Sequence, residues 1–521
     1  MSCVAGSGSS AYCVAMSRTR RLLSGVGLTY LNMALTTLVG LWLTRFVLRT
    51  VGQHDYGLWL VMLQLTAYLS MLDLGVVALL PRDVALIAAR EEHGGTPGQL
   101  AEHVGSTLRL VLWQLPLVAL AALIIIIALP AGLTIVRAPL LLILIAYVFA
   151  FPVRTFQAVL TGLQDLGFVG AAGMVSWAIG TTLTVVLLLA GHGLTALAVA
   201  WTVTQLGTPL ACLVRFWKQF PKARPKALPR LDWTGARAQL MRSLWVSIGQ
   251  ISHVLVNASD VLVIGSVLGP AAVVPYVITG KLMGVLANVS ISIATTATPA
   301  LSDLHVREAP ARVMSALSAL TQTVILVSGA MACGILAVNQ EFVRLWVGAA
   351  QFGGMRLTVA IVAAAVIRHW LLTLSMAAFS FGYERRLGIV SIVEGALCVG
   401  LMVLLVRAMG SIGAPVASLL SAVVVSLPAT LDAVAEASKV KVLALLRTVA
   451  PWGWRVLSIG TIAAAALRPW AMRGLVPMLV AGTAAVLLYG FAMLPLVLRP
   501  PLKGYLVRAR LGWLERLAPA S

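Results

Sequence analysis

Six ionisable side chains stand in stretches too apolar to suit them: Asp73, Arg154, Asp260, Lys281, Arg368 and Glu394. An ionised group inside hydrocarbon is costly unless it faces water or a partner. Each of the six therefore needs a reason. Arginine holds oxyanions with two parallel donors, and lysine supplies a compact, mobile charge. Arg154, Lys281 and Arg368 could thus neutralise an anion within a membrane. Each could equally pair with a carboxylate and lock two helices together. Pro152, beside Arg154, favours that structural role there through a kink. Asp73, Asp260 and Glu394 could titrate and couple transport to a proton or sodium ion, or they could cap and pair within the fold.

The elements holding these residues are read from composition. The chain has 521 residues, 60% hydrophobic and only 11% charged. Soluble domains carry roughly a quarter charged residues, and a soluble core could not hide this much apolar surface. Hydrocarbon can, at ~20 apolar residues per helical span. The uncharged runs Leu110–Val136, Met314–Gln340 and Gly474–Leu498 each fit one span, and the 49 uncharged residues from Leu166 to Val214 fit a hairpin broken at Gly191-His192-Gly193. The expected fold is all-α, with about fourteen transmembrane helices. Their positions are near 23–48, 55–80, 105–129, 138–163, 167–190, 193–214, 243–268, 271–299, 313–338, 357–382, 387–407, 413–436, 455–470 and 474–498. The ~10-residue alternating segments of a β-barrel are missing from the sequence.

Charge then orients the chain. The net charge is +21, from 38 Lys and Arg against 17 Asp and Glu. On a soluble protein this would suggest nucleic acid. Here it follows from the enrichment of Lys and Arg in cytoplasmic loops, and no nucleic-acid partner is expected. With residues near the span ends counted to the adjoining loop, 27 of the basic residues fall on the side of the N-terminus, 8 on the other side and three, Arg154, Lys281 and Arg368, inside spans. Both termini are therefore expected in the cytoplasm. Cys212, Cys333 and Cys398 sit in apolar helices and read as inert buried thiols. Cys3 and Cys13 lie in an N-terminal tail without a cleavable signal pattern, and Met16 would place Arg18, Arg20 and Arg21 directly before the first span. Trp59, Trp346, Trp452 and Trp454, near span ends, read as interfacial anchors.

Glycine and proline landmarks recur across the middle of the chain. Gly52, Pro81, Gly162, Gly193 and Pro209 are matched by Gly269, Pro299, Gly382, Gly413 and Pro428, at offsets of 217 to 220. This predicts two six-helix lobes related by a parallel pseudo-twofold repeat, with substrate bound between them near the midplane. The implied organisation is a cytoplasmic tail 1–22, an N-terminal lobe 23–214, a basic linker 215–242, a C-terminal lobe 243–436, two extra helices within 437–498 and a basic tail 499–521. The linker, with Lys218, Lys222, Arg224, Lys226 and Arg230, is also suited to anionic lipid headgroups.

Two motif sets lie at corresponding places in these halves. One is Val51-Gly52-Gln53-His54-Asp55-Tyr56-Gly57-Leu58-Trp59 with Leu72-Asp73-Leu74-Gly75 and Pro81-Arg82. The other is Asp260, Ile264-Gly265, Leu268-Gly269, Tyr276, Gly280-Lys281-Leu282 and Pro299. Together they resemble the O-antigen and capsule repeat-unit flippases, the Wzx-type family. That family shares a superfamily with multidrug and toxin extruders and peptidoglycan-precursor flippases. The resemblance implies two lobes around a central cavity that opens alternately to either side. It also implies a cargo of lipid-linked, polyprenyl-pyrophosphate oligosaccharide moved across the bacterial inner membrane for surface polysaccharide. Arg154, Lys281 and Arg368 would then neutralise the headgroup, and a net positive lining would also admit acidic sugars. Asp73, Asp260 and Glu394 are the candidates for ion coupling. Gln157, Gln250, His253, Asn257, Asn288, Trp177, Trp201, His369 and Trp370 could bond or stack on sugars, although ordinary packing is the simpler role for each.

No cofactor is expected, and His253 and His369 lack metal-ligand spacing. Without a P-loop, a GxSxG, a CxxC or a sizeable soluble segment, an enzyme is not expected either. Membrane lipids, and a polysaccharide polymerase or other assembly proteins, are the expected partners. Two other readings stay open: a cation-coupled multidrug exporter of the same fold, and a membrane scaffold for polymer assembly that does not transport.

Overall fold

The computed structural model describes residues 33–94, 96–128, 134–225, 233–307, 309–466 and 474–508. The N-terminal tail with Cys3, Cys13 and Met16, the first part of span 23–48, linker residues 226–232, the end of span 455–470 and the tail beyond 508 lie outside the described residues. Among those described, the regular structure is helical throughout.

Among the described residues, twelve stretches are long and apolar enough to cross a membrane, and a bent pair raises the number to thirteen. One of the twelve, Glu384–Ser438, has 55 residues, or ~80 Å at 1.5 Å per residue. That is far more than a ~30 Å hydrocarbon layer. It turns back at Gly410 (φ +68°), and its two arms pack on each other. This stretch is long enough for two passes, which would make fourteen among the described residues.

Contacts divide the chain into two compact units. One runs up to Gly52 and from Val76 to Ala238; the other comprises Gln53–Gly75 and everything from Gln239 onward. The helix in Gln53–Gly75 thus lies with the second unit, whereas the sequence places it in the lobe 23–214.

The first unit holds α1 (Met33–Val51), α3 (Val76–Glu92), α4 (Gln99–Ile127), α5 (Thr134–Gly162), α6 (Leu166–Leu189) and α7 (Gly193–Gln219). α5 packs on α3, α4 and α7, and α7 also covers α6. Small residues set these approaches. A Cβ on Gly162 would run into Pro81 O and Val84, and one on Gly180 would meet the Thr204 hydroxyl. Cys212 and Phe216 of α7 close the core against Val84, Val104 and Val159. Where the sequence places a loop from 215 onward, α7 continues to Gln219. There Arg215 donates from Nε to Asp165 Oδ2 at 2.9 Å and stacks on Phe168.

The second unit begins with α2 (Gln53–Leu69) and a short 3₁₀ turn, Ser70–Asp73. It then contains α8 (Trp233–Asn257), α9 (Ser259–Val267), α10 (Pro270–Arg307), α11 (Pro310–Trp346), α12 (Met355–Ser380) and α13 (Glu384–Met409). α14 (Gly413–Ser421), a π-helical turn (Ala422–Ser426) and α15 (Leu427–Ser438) form the returning arm. α16 (Val442–Ala466), α17 (Leu475–Val497) and α18 (Leu502–Arg508) complete the unit.

α11 is central to this unit, contacted by α10, α12, α16 and α17. Tyr489 of α17, fully buried, donates to Ile325 O at 3.3 Å and occupies the space that a side chain at Gly329 would need. Cys333 and Cys398 are fully buried here, as is Cys212 in the first unit, and all three are free thiols.

Three sequence boundaries shift. Span 55–80 is two helices, α2 and α3. Leu74 (φ +48°) and Gly75 (φ +70°) make the break. The linker 215–242 gives way to α8 from Trp233, because an amphipathic helix can extend past the bilayer surface. Span 455–470 starts earlier, at Val442. Trp452 is only 3% exposed and packs in the unit's core, while Trp454 is 72% exposed. Trp59 and Trp346 are also buried, so three of the four expected anchors pack against protein. Gly52 and Gly269, paired as repeat landmarks, adopt φ of +89° and +90°, the left-handed region that favours glycine.

Candidate functional site

The polar groups of the second unit sort into an ion-paired cluster, a helix break and a polar helix face. The cluster is built on α12. Arg368 donates from Nη2 to Glu394 Oε1 of α13 at 2.9 Å and to Ser418 O of α14 at 2.9 Å; its Nε donates to Ser418 Oγ at 2.6 Å. Glu394 Oε2 accepts from Ser426 Oγ in a very short contact. The arrangement links α12, α13, α14 and the π-helical turn. A π-turn departs from the α-helical repeat, and this one carries Ser426 to the carboxylate. Arg368 was expected among the headgroup cations, but the structure places it in an ion pair. Glu394, expected as an ion-coupling candidate, is its counter-ion. The side chains keep 22% and 7% of their surface exposed. Burial explains the pairing, since a lone guanidinium or carboxylate at this depth would be costly.

The helix break lies between α8 and α9, at Ala258. Asn257 Nδ2 bonds back to His253 O at 2.9 Å. Asp260, in the first turn of α9, accepts from the Val261 amide at 2.8 Å and from Tyr276 O–H at 2.7 Å. Ser259 Oγ donates to Leu255 O, which leaves its oxygen to accept from Tyr68 O–H of α2 at 2.5 Å. Asp260 is therefore held by donors. Asp73 sits in the break after α2, only 8% exposed, and it too is partnered.

Lys281 differs. It lies eleven residues into α10, half-buried, with no hydrogen bond or carboxylate partner among the described residues. Its face of α10 continues through Gly284, Asn288, Ser292 and Thr295, at spacings of three and four residues, and those four positions are exposed. The opposite face, with Met283, Ser290 and Ala294, is buried, and α10 packs on α11 and α12. α8 has a related face: Gln250, His253 and Asn257 share one side, and His253 and Asn257 are exposed. His369 and Trp370, considered above for sugar contact, are buried on α12 and cannot line an open face.

In the first unit, Arg154 also lacks a carboxylate among the described residues. Its guanidinium lies 5.1 Å from the Tyr147 ring centroid and 5.2 Å from that of Phe151, with Nη2 to Tyr147 Oη at 3.4 Å. Its buried Nε has no partner. Aromatic faces stabilise a cation without neutralising it. Tyr147 follows from the i, i+7 spacing to Arg154. Ser418 and Ser426 carry no sequence signal of their own.

Among the described residues, apolar crossings that carry a buried ion pair and cations without a carboxylate partner are the architecture of a multi-pass membrane protein. Residues 22–305 match the family model described as polysaccharide biosynthesis protein. That is more than half of the chain, and the protein belongs to this family. The fold is similar to that of the lipid II flippase MurJ in an inward closed conformation, with a TM-score of 0.65, 10% identity, and coverage of 91% of this chain and 100% of that one. It is also similar to an inward-facing multidrug resistance MATE family transporter of the MOP superfamily, with a TM-score of 0.51, 15% identity, and coverage of 78% and 94%. No curated protein matches the chain. The fold is the one these two transport proteins share.

Proposed function

We propose that this protein carries a lipid-linked oligosaccharide, with a polyprenyl-pyrophosphate headgroup, across the bacterial inner membrane by alternating access, for assembly of a surface polysaccharide. The observation behind this reading is Lys281. Among the described residues its ammonium has no carboxylate partner inside this apolar helix, and Asn288, Ser292 and Thr295 follow on its face. A charge left unpaired at such a position is costly, which is reasonable if a mobile anion completes it. In the first unit, Arg154, held among the described residues by the Tyr147 and Phe151 rings and the Tyr147 hydroxyl, is a second cation with the chemistry to meet a phosphate. Arg368 has a supporting role, fixing α12 to α13 and α14 through Glu394. The family's description and the lipid-linked cargo in the name of the MurJ structure agree with this reading. Lys and Arg counts favour cytoplasmic termini.

The test uses a strain deleted for the gene and complemented with variants. Lys281→Ala should abolish surface polymer and leave lipid-linked repeat units on the cytoplasmic face, with membrane insertion unchanged. Lys281→Arg should retain part of the activity. Full polymer display with Lys281→Ala would overturn the assignment. The multidrug-exporter alternative predicts instead that the wild-type protein raises resistance to cationic dyes, and that Lys281→Ala does not lower it.

A further inference from the structure

The polar face of α10 does not stop at Lys281. Asn288, Ser292, Thr295 and Thr296 follow on the same side, all exposed. Thr295 lies ~21 Å along the axis from Lys281 at 1.5 Å per residue. Thr295 and Thr296 return their hydroxyl protons to Ile291 O and Ser292 O, at 2.9 and 2.7 Å. Asn288 Nδ2 bonds back to Val285 O at 3.3 Å. The Thr295 and Thr296 oxygens are therefore left to accept, and Asn288 has its Oδ1 for the same purpose. Between Lys281 and Asp303 the helix has no ionisable residue. Lipid is a poor neighbour for this face, because an amide and an ammonium share it and each loses hydrogen bonds in hydrocarbon.

We propose that this face is a track for the uncharged glycan of the substrate: sugar hydroxyls donate to Asn288, Ser292, Thr295 and Thr296 while the diphosphate meets Lys281. This rests on the headgroup role given to Lys281, and it adds a selectivity that the positive charge alone does not imply. A row of neutral acceptors favours neutral sugars. It offers no counter-charge to a uronic acid, whose carboxylate would face acceptor oxygens.

The experiment measures binding to the full-length protein in lipid nanodiscs. The probes are a polyprenyl diphosphate without sugar, the same lipid with a neutral trisaccharide, and the same lipid with a trisaccharide that includes one uronic acid. The neutral glycan should tighten binding at least tenfold over the bare diphosphate lipid, and the acidic glycan should add less than threefold. The triple variant Asn288→Leu, Ser292→Val, Thr295→Val should lose the neutral increment and keep the affinity for bare lipid. The single variant Thr295→Val, which should fold without difficulty, should lose part of the increment.

A neutral increment unchanged in both variants would overturn the track, as would tighter binding of the acidic glycan. Failure of the bare lipid to bind, with a neutral increment still sensitive to the variants, would overturn the Lys281 role and leave the track standing. Failure of all three probes to bind would overturn both.

Discussion

Glu394→Gln tests how far the Arg368 pair holds the second unit together. The substitution keeps an oxygen near Arg368 Nη2 and Ser426 Oγ but removes the negative charge. Arg368 would then be left with Ser418 and no counter-ion. Removing one partner from a buried pair costs about 3–5 kcal/mol. Arg368 retains 22% side-chain exposure, so solvent softens the loss and about 3 kcal/mol is the expected value. At about 2 °C per kcal/mol for a unit this large, the melting temperature should fall by about 6 °C. Arg368→Met alone should cost a similar amount, because Glu394 becomes the unpaired charge. The double variant should cost little more than either single change, with a coupling of about 2–3 kcal/mol. Melting the purified protein in detergent, followed by tryptophan fluorescence, gives all four corners of the cycle. Additive single losses, or a Glu394→Gln melt within about 1 °C of wild type, would refute the argument.

The other expectations concern packing. Gly57 of α2 lies so close to Pro270 that a Cβ would overlap its carbonyl; Gly57→Ala should cost about 1–3 kcal/mol and speed hydrogen exchange across 53–69. Asn339, fully buried, donates to Thr279 O at 3.0 Å and to Thr358 Oγ1 at 3.2 Å. Asn339→Leu orphans that carbonyl and should lower the melting temperature, at a cost of about 1–3 kcal/mol. Arg215 and Asp165 keep 28% and 19% side-chain exposure, so Asp165→Asn should cost under about 1 kcal/mol, and a collapse of the melt would contradict that.

The crossings were legible in the sequence because hydrocarbon imposes a simple rule of length and apolarity. Spans bounded by charge or glycine, such as α6 and α17, were placed within a few residues. Where side chains pack on protein instead of lipid, the rule fails. Trp452 looked like an anchor and is core, so α16 began too late. All six ionisable residues could be found from their surroundings, but their partners could not. Arg368 and Glu394 are 26 residues apart on separate helices, and only the facing of α12 and α13 brings them together. The Ser426 contact also depends on a π-turn that no local pattern announces. Lys281 read no differently from Arg368 in the sequence; what sets it apart is that the helices around it bring it no carboxylate among the described residues, and that is a matter of packing.

Residues 53–75 belong to a compact unit whose remainder starts some 160 residues later. The polypeptide therefore passes from one unit to the other three times, the last time at Ala238–Gln239 in α8, shortly after the basic segment 226–232 in sequence. Severing the backbone there should not separate the molecule. The N-terminal fragment would still carry α2, with Gln53 bonded to Ala271 O at 2.8 Å, Tyr68 to Ser259 and Gly57 against Pro270. The two pieces, made as separate proteins in one cell, are expected to reassemble and purify together.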